Sequence, residues 1–278
     1  MNALKQRGHA DPEHVLSRLW FPILSVPDCR IKGVIEPPLI ARMVVNNLQA
    51  LTGLLNPGVK VAVLGGGAIG LGVIEELRRV NARVVAFDPR VETRLLLAER
   101  GVTLASSAVE AVRGAGFVIG ASGARPISPD VVANLEHNTF LASTSSMNYE
   151  IALDYIAATA IERRMLPVLT GVPAGSEDWA GTTFRLPGRG GSREIHVLAD
   201  GYPLNFQGFQ GLPDPHADLV MSLVLLGASA LGAHNHPSRR SRKSFPRAWN
   251  RTAIDELVRE SGLIEEFLRL YHPHAVIA

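Results

Sequence analysis

The residues best suited to chemistry in this chain lie between Lys60 and Gly72, in the run K-V-A-V-L-G-G-G-A-I-G-L-G. The spacing Gly65-x-Gly67-x-x-Gly70 fits a dinucleotide fingerprint. The first glycine permits a tight turn, the second lets backbone approach a pyrophosphate without a Cβ in the way, and the third lets a helix pack on a strand. Ala68 and Ile69 lie in the turn that leads into that helix, whose N-terminal N–H groups and positive dipole end attract phosphate. Asp88 stands 23 positions after Gly65, at the end of the next apolar run. An acid there accepts hydrogen bonds from both hydroxyls of an adenosine ribose and repels a 2′-phosphate, which selects NAD over NADP. Arg90 is the complication, because a basic residue just past the acid is a partner for that phosphate.

These residues need a strand, a helix and a second strand to hold them. Val61 to Leu64 reads as a buried strand, Leu71 to Val80 as a helix and Ala82 to Phe87 as the second strand. Further strands are expected at Val102 to Ala105, Gly116 to Ala121 and Thr139 to Ser143. The alternation predicts an α/β fold with a Rossmann-type doubly wound parallel sheet and helical N- and C-terminal extensions. The expected division is an N-terminal extension 1–58, a dinucleotide-binding domain 59–215 and a C-terminal helical extension 216–278. Ligands in such sheets sit beyond the strand C-termini, so Ala121-Ser122-Gly123 and Ser143-Thr144, with the loop onward to Asn148, are expected to face the nicotinamide half.

Around this core, Asp11 to Trp20 reads as a short helix, Pro22 to Pro38 as a proline-punctuated loop and Leu39 to Leu55 as a helix. Tyr149 to Arg164 reads as helical and Leu166 to Thr170 as a strand. Thr182 to Leu186 and Glu194 to Ala199 bracket P-G-R-G-G-S as a β-hairpin. Ala217 to Leu231 is an apolar helix, and Thr252 to Tyr271 a single amphipathic one. The run from His234 to Arg251 is basic and reads as a solvated loop.

Composition narrows the classes. The chain has 278 residues, 46% hydrophobic and 19% charged, with a net charge of +2, which argues against a nucleic-acid partner. The single cysteine, Cys29, excludes an internal disulfide and suits a cytoplasmic setting. The N-terminus lacks an apolar signal core, and Leu219 to Ala233 is too short to span a bilayer, so no membrane association is expected. No histidine or cysteine spacing suggests a metal; His234-x-His236 alone is weak. Cys29 lacks a histidine placed with it and reads poorly as a nucleophile.

Several stretches taken together resemble the cofactor-binding half of the S-adenosylhomocysteine hydrolase family. F-R-L-P-G-R-G-G-S-R-E-I-H-V-L-A-D-G-Y-P-L-N-F is similar to that family's R-L-x-N-G-R-x-I-x-L-L-A-E-G-R-L-V-N-L, which places Asn205 at the family's asparagine. H-A-D-L-V-M-S resembles its G-H-P-S-x-V-M-S, Phe117 to Gly123 its D-x-F-V-T-A-T-G-N, and Asn148-Tyr149-Glu150-Ile151 its D-N-E-I. Upstream, V-P-D-C-R-I-K-G-V-I-E resembles V-N-D-S-x-T-K-x-x-x-D. The resemblance runs from about Pro22 to Leu231 and implies NAD as cofactor, Lys32 and Glu36 beside the hydroxyl that is oxidised, and a catalytic His216. The family's second histidine, in N-I-G-H-F, falls at Ser146.

The implied activity is NAD-dependent oxidation of a small hydroxylated substrate, alone or followed by elimination, with Lys32 accepting the alcohol proton and Glu36 orienting it. Oxidation to a ketone acidifies the neighbouring C–H, which is where His216 would serve. The alternatives are an NAD(P)H-dependent ketone or imine reductase and a non-catalytic partner that only binds NAD. A homo-oligomer is expected to cover the cleft, with a partner protein as the other way to do so.

Overall fold

The computed structural model describes residues 24–170, 179–188, 190–207, 213–234 and 253–275. The expected helix at Asp11 to Trp20 and the basic run from 235 to 251 lie outside the described residues. The chain divides into two compact units, residues 37–211 and residues 1–36 with 212–278. The N-terminal segment therefore splits at Glu36/Pro37, and its first part groups with the C-terminal helices, unlike the expected 1–58, 59–215 and 216–278.

The larger unit has the expected Rossmann-type α/β sheet with flanking helices, extended at one edge by two antiparallel strands. Its strands are β1 (Lys60–Leu64), β2 (Arg83–Phe87), β3 (Thr103–Leu104), β4 (Phe117–Gly120), β5 (Thr139–Ser143), β6 (Glu162–Pro167), β7 (Trp179–Gly188) and β8 (Gly191–Leu198). They form one eight-stranded sheet in the order β3-β2-β1-β4-β5-β8-β7-β6. The first six in that order run parallel, while β7 is antiparallel to β8 and β6 antiparallel to β7. The chain order reverses between β1 and β4, which opens a crevice at their C-terminal ends.

The central strands are apolar on both faces because both are covered. Val61 and Val63 of β1 pack with Phe117, Ile119, Phe140 and the helices α1 (Arg30–Thr52) and α2 (Ala68–Arg79). Ala62 and Leu64 point the other way, into a cluster with Val118, Leu141, Ile195 and Val197. That second face is covered by α4 (Ala108–Val112), α5 (Pro129–Ala133) and α6 (Leu153–Thr159); α3 (Val91–Glu99) follows β2.

Three expectations are corrected here. The segment read as a loop to Pro38 is helical from Arg30, with Pro37 and Pro38 inside α1. Neither proline has an N–H to donate, so the carbonyls of Gly33 and Val34 lose their helical partners. The helix expected over Tyr149 to Arg164 is only Leu153–Thr159, and the strand expected from Leu166 begins at Glu162. The hairpin is β7–β8, as the turn chemistry predicts.

In the smaller unit, α1 starts after a turn of 3-10 helix at Val26–Asp28 and is joined by α7 (Asp214–His234), α8 (Ala253–Ser261) and α9 (Leu263–Tyr271). Asp255 Oδ1 accepts from the Arg30 N–H at 2.8 Å, which caps the start of α1 with a charge that suits its dipole. Cys29, Leu223, Ile254 and Val258 form a small core. Thr252 to Tyr271 is two helices, not one: Gly262 between α8 and α9 has φ 68°. Helix α7 starts earlier than its apolar run, and over Asp214–Gly232 it is long and apolar enough to cross a membrane by length and composition.

Candidate functional site

The fingerprint loop lies at the crevice between β1 and β4. Gly65 sits at φ 120°, and a Cβ there would come within 2.5 Å of the Ala121 carbonyl group, so loop and β4 approach as only glycine allows. At Gly70 a Cβ would stand 2.1 Å from the Gly65 carbonyl oxygen. Gly67 differs: the nearest atom to its notional Cβ is an Arg90 nitrogen 3.9 Å away. The protein thus does not itself require glycine at 67, and the space is that expected for a pyrophosphate. Gly67 is also the N-cap of α2, with no side-chain cap and no acidic residue in the first turn, which leaves that end open to an anion.

Asp88 follows β2 and is 2% exposed. Its Oδ2 accepts from the Gly66 N–H at 2.9 Å, which ties the acid to the fingerprint. Its Oδ1 accepts from the Arg90 N–H at 2.9 Å, and the Arg90 guanidinium donates from Nε to Oδ1 and from Nη2 to Oδ2. Burial pushes the carboxyl up, but the Arg90 guanidinium and the N–H groups of Gly66 and Arg90 outweigh it and hold Asp88 below the ordinary aspartate range.

The loops after β4 and β5 are joined by a residue to which the motifs assign no role. Glu150 is fully buried. Its Oε1 accepts from the Ser122 and Gly123 N–H groups at 2.7 and 2.9 Å. Its Oε2 accepts from the Ser143 hydroxyl and the Thr144 and Ser145 N–H groups at 2.9, 3.1 and 3.2 Å. Thr144 Oγ1 also donates back to the Gly120 carbonyl at 3.0 Å. Ala121, Ser122, Gly123, Ser143 and Thr144 are therefore brought together at the strand ends, and one carboxylate sets their spacing. The likeness of Asn148-Tyr149-Glu150-Ile151 to D-N-E-I is the only sequence signal for it.

Asn205 completes this end. Ala199 and Asp200 take left-handed backbone, φ 50° and 49°, and Pro203 bridges to Ser143. The Asn47 amide donates to the Leu204 carbonyl at 2.8 Å and also to that of Gln207. Asn205 is buried, and its Oδ1 has no hydrogen-bond partner among the described residues. A buried amide oxygen of this kind calls for a donor. The carboxamide of a nicotinamide would be a donor of that kind, and the room above Gly67 beside Asp88 fits the phosphate and ribose half of NAD.

The three residues expected to be catalytic lie in the smaller unit. Lys32 and Glu36, one helical turn apart on α1, form an ion pair and are both mostly buried. His216 lies near the start of α7 and lines a cavity of about 680 Å³ with Ile31, Val34, Leu219, Phe267 and His272. Its ring lies edge-on to Phe267, centroids 6.3 Å apart, and its Nδ1 is buried without a hydrogen-bond partner among the described residues. Burial, with the nearby His272, lowers its pKa. The cavity takes Arg30, Ile31, Val34 and Ile35 from α1, and neither Lys32 nor Glu36 is among its lining residues. The structure thus pairs Lys32 with Glu36 and places His216 in a separate setting. Cys29 is buried and its thiol is pushed up by burial, which makes it a packing residue. Ser146, where the family has its second histidine, is exposed. Among the described residues no cluster of metal-ligating side chains occurs.

The architecture is that of a Rossmann-type α/β protein, with the glycine fingerprint at its crevice. No protein-family model matches the sequence. A Mycobacterium tuberculosis protein described as uncharacterized is 27% identical over 215 residues, 77% of this chain and 37% of that one. The adenosylhomocysteinase of Aeropyrum pernix is 21% identical over 206 residues, 74% of this chain and 46% of that enzyme. The chain spans less than half the length of these curated relatives. Among solved structures, a dipicolinate synthase chain from Bacillus halodurans aligns with a TM-score of 0.41 at 21% identity, over 46% of this chain and 45% of that one. Salmonella D-lactate dehydrogenase aligns at 0.38 and 15% identity, over 44% of each chain.

Proposed function

We propose that the chain is an NAD-dependent oxidoreductase that oxidises a hydroxyl-bearing carbon of a small substrate, in the manner of the adenosylhomocysteinase that it resembles. The observation that carries this reading is the fingerprint end of the crevice, where an open Gly67 and a buried Asp88 tied to the Gly66 N–H lie side by side; the unpartnered Asn205 Oδ1 is our candidate for the nicotinamide end. NAD, when bound, supplies the acceptor for a hydride from the substrate carbon. The Glu150-tied loops hold the space for its nicotinamide end, and α2 with Gly67 holds its phosphates. The alcohol proton needs an acceptor, and the part-buried Lys32–Glu36 pair is our candidate, with the carboxylate fixing the direction of the amine. His216 is reserved for proton transfer at the carbon next to the new ketone.

The test begins with native mass spectrometry and titration of NAD. A protein that neither retains nor binds NAD removes the reading altogether. Where NAD binds, a panel of small alcohols and nucleosides is followed by cofactor fluorescence at single turnover. Lys32→Ala should then lower the rate by about 10²–10⁴-fold with NAD affinity kept, as for loss of a general base. Unchanged turnover in that variant would remove Lys32 from the chemistry and leave the cofactor site standing. For assembly we propose a homo-oligomer formed through α7, whose Met221, Val224 and Leu225 are exposed at helical spacing. A monomer by light scattering at micromolar concentration, or an unchanged oligomer in Leu225→Glu, would overturn it.

A further inference from the structure

Asp88 is the residue on which selection of the cofactor rests, yet its carboxylate is already fully engaged. Each oxygen accepts two hydrogen bonds: Oδ1 from the Arg90 N–H and Nε at 2.9 and 3.0 Å, Oδ2 from the Gly66 N–H and Arg90 Nη2 at 2.9 and 3.1 Å. A carboxylate oxygen has room for about two such donors. The two backbone bonds are fixed by the loop and serve to orient the acid. The other two come from one guanidinium, one to each oxygen, which is the bidentate pattern that the 2′- and 3′-hydroxyls of a ribose would need.

The rest of the geometry supports this. The Arg90 side chain is 62% exposed while Asp88 is 2% exposed, so the arginine can leave into water and the acid cannot. An Arg90 nitrogen is also the atom nearest the space above Gly67. Arg94 donates to the carbonyls of Asp88 and Pro89 at 2.9 and 3.0 Å, so the backbone of this turn stays pinned when the Arg90 side chain moves.

Resting on the dinucleotide reading, we propose that Arg90 is a built-in competitor for Asp88 and so a specificity-determining residue: NAD binds by displacing the guanidinium from the acid, and the displaced guanidinium is then available to a 2′-phosphate. Arg90 thus weakens NAD and favours NADP, and it narrows a preference that Asp88 alone would make wide. In a protein without Arg90 the acid is free for the ribose and repels the phosphate unopposed.

The experiment is calorimetric titration of wild type, Arg90→Ala, Asp88→Ala and the double variant with NAD and with NADP, each checked for an unchanged melting temperature. Arg90→Ala should bind NAD at least threefold more tightly and NADP at least threefold more weakly. In the Asp88→Ala background, Arg90→Ala should bring no gain for NAD, because there is no acid left to free. A tightening of NAD by less than threefold, or a weakening, overturns the proposal, as does a gain that survives in the Asp88→Ala background. Wild-type protein that binds neither dinucleotide sinks the cofactor reading itself, a result distinct from any of these.

Discussion

Glu150→Gln is the most exacting test of the cofactor end of the crevice, because a near-isosteric change removes one charge and reverses one set of hydrogen bonds. In the native protein Oε1 holds the two N–H groups after β4, while Oε2 holds two N–H groups and a hydroxyl after β5. A glutamine can keep its oxygen on one side only. The better choice keeps it toward Ser143, Thr144 and Ser145, and turns the NH₂ group toward Ser122 and Gly123, where donor meets donor. An unsatisfied donor costs about 1–3 kcal/mol, and these two border a part-exposed loop that water can reach, so the low end of the range applies to each. Loss of charge from the three remaining bonds adds a further fraction, set against relief from burying an ion. The net destabilisation is about 2–3 kcal/mol, a large share of the roughly 5–15 kcal/mol that a domain has.

Urea unfolding should report this as a lower midpoint at unchanged slope, and a thermal scan as a fall of about 4–12 °C. NAD affinity should fall with it, since the loops after β4 and β5 lose their common anchor. Glu150→Asp should be no milder, because a side chain one methylene shorter cannot span both loops. A Glu150→Gln protein within about 0.5 kcal/mol of wild type, the range of an ordinary surface change, would falsify the clamp and with it the argument that one carboxylate spaces the two loops.

The glycines of the fingerprint should separate by role: Gly70→Ala, which drives a methyl into the Gly65 carbonyl, should cost about 1–3 kcal/mol in urea unfolding. Gly67→Ala meets nothing closer than 3.9 Å and should unfold within about 1 kcal/mol of wild type, yet lose NAD affinity at least tenfold in calorimetry; retained affinity would mean that the phosphates lie elsewhere. Asp88→Ala should weaken NAD by roughly 1–3 kcal/mol, the worth of hydrogen bonds to a charged group. His196 is buried against Phe140 and bonded to Thr183, and burial lowers its pKa against the opposing pull of Glu194. As pH falls below about 6.5 the unfolded chain takes up a proton that folded His196 resists, so stability falls with pH. His196→Gln should flatten the pH dependence of the urea midpoint by at most one proton's worth, about 1.4 kcal/mol per pH unit, and an unchanged slope would show that His196 charges freely in the fold.

The parts of the fold that are legible in the sequence are those whose signals are local. β1, α2 and β2 follow from an apolar run, a glycine turn and a second apolar run, and the residues that decide each element lie within it. β6 escapes such a reading because Glu162, Arg163 and Arg164 look like a solvated helix face. On this outermost strand their charges are met across the sheet, Glu162 by Arg185 and Arg164 by Glu194. The length of α6 is hidden for a related reason: Glu150 would serve a helix well, but its carboxylate binds two loops instead, and the helix begins only at Leu153. Apart from the likeness of residues 148–151 to D-N-E-I, nothing near Glu150 in sequence carries that information, since Ser122 lies 28 positions away.

The helical start of α1 before Leu39 bears most directly on the proposed chemistry. Two successive prolines read as the end of a loop, because a proline interrupts the helical ladder at its own position. Here α1 begins at Arg30, where Asp255 caps it, and the prolines fall inside it at 37 and 38. The lost bonds release the carbonyls of Gly33 and Val34, both within the stretch that holds Lys32 and Glu36. In a loop, an i, i+4 lysine and glutamate have no fixed relation. On a helix they face the same way and pair, as they do here. The helical register therefore fixes Lys32 against Glu36, and the same register turns Ile31, Val34 and Ile35 toward the His216 cavity instead. If Lys32 and His216 both act, they do so from different flanks of α1, and single variants should affect different steps. Loss of Lys32 should slow the first hydride transfer, and loss of His216 should slow only proton exchange at the neighbouring carbon. Deuterium wash-in at that carbon, measured beside cofactor reduction, separates the two, and a His216→Ala protein that slowed both equally would place the residue in the first step.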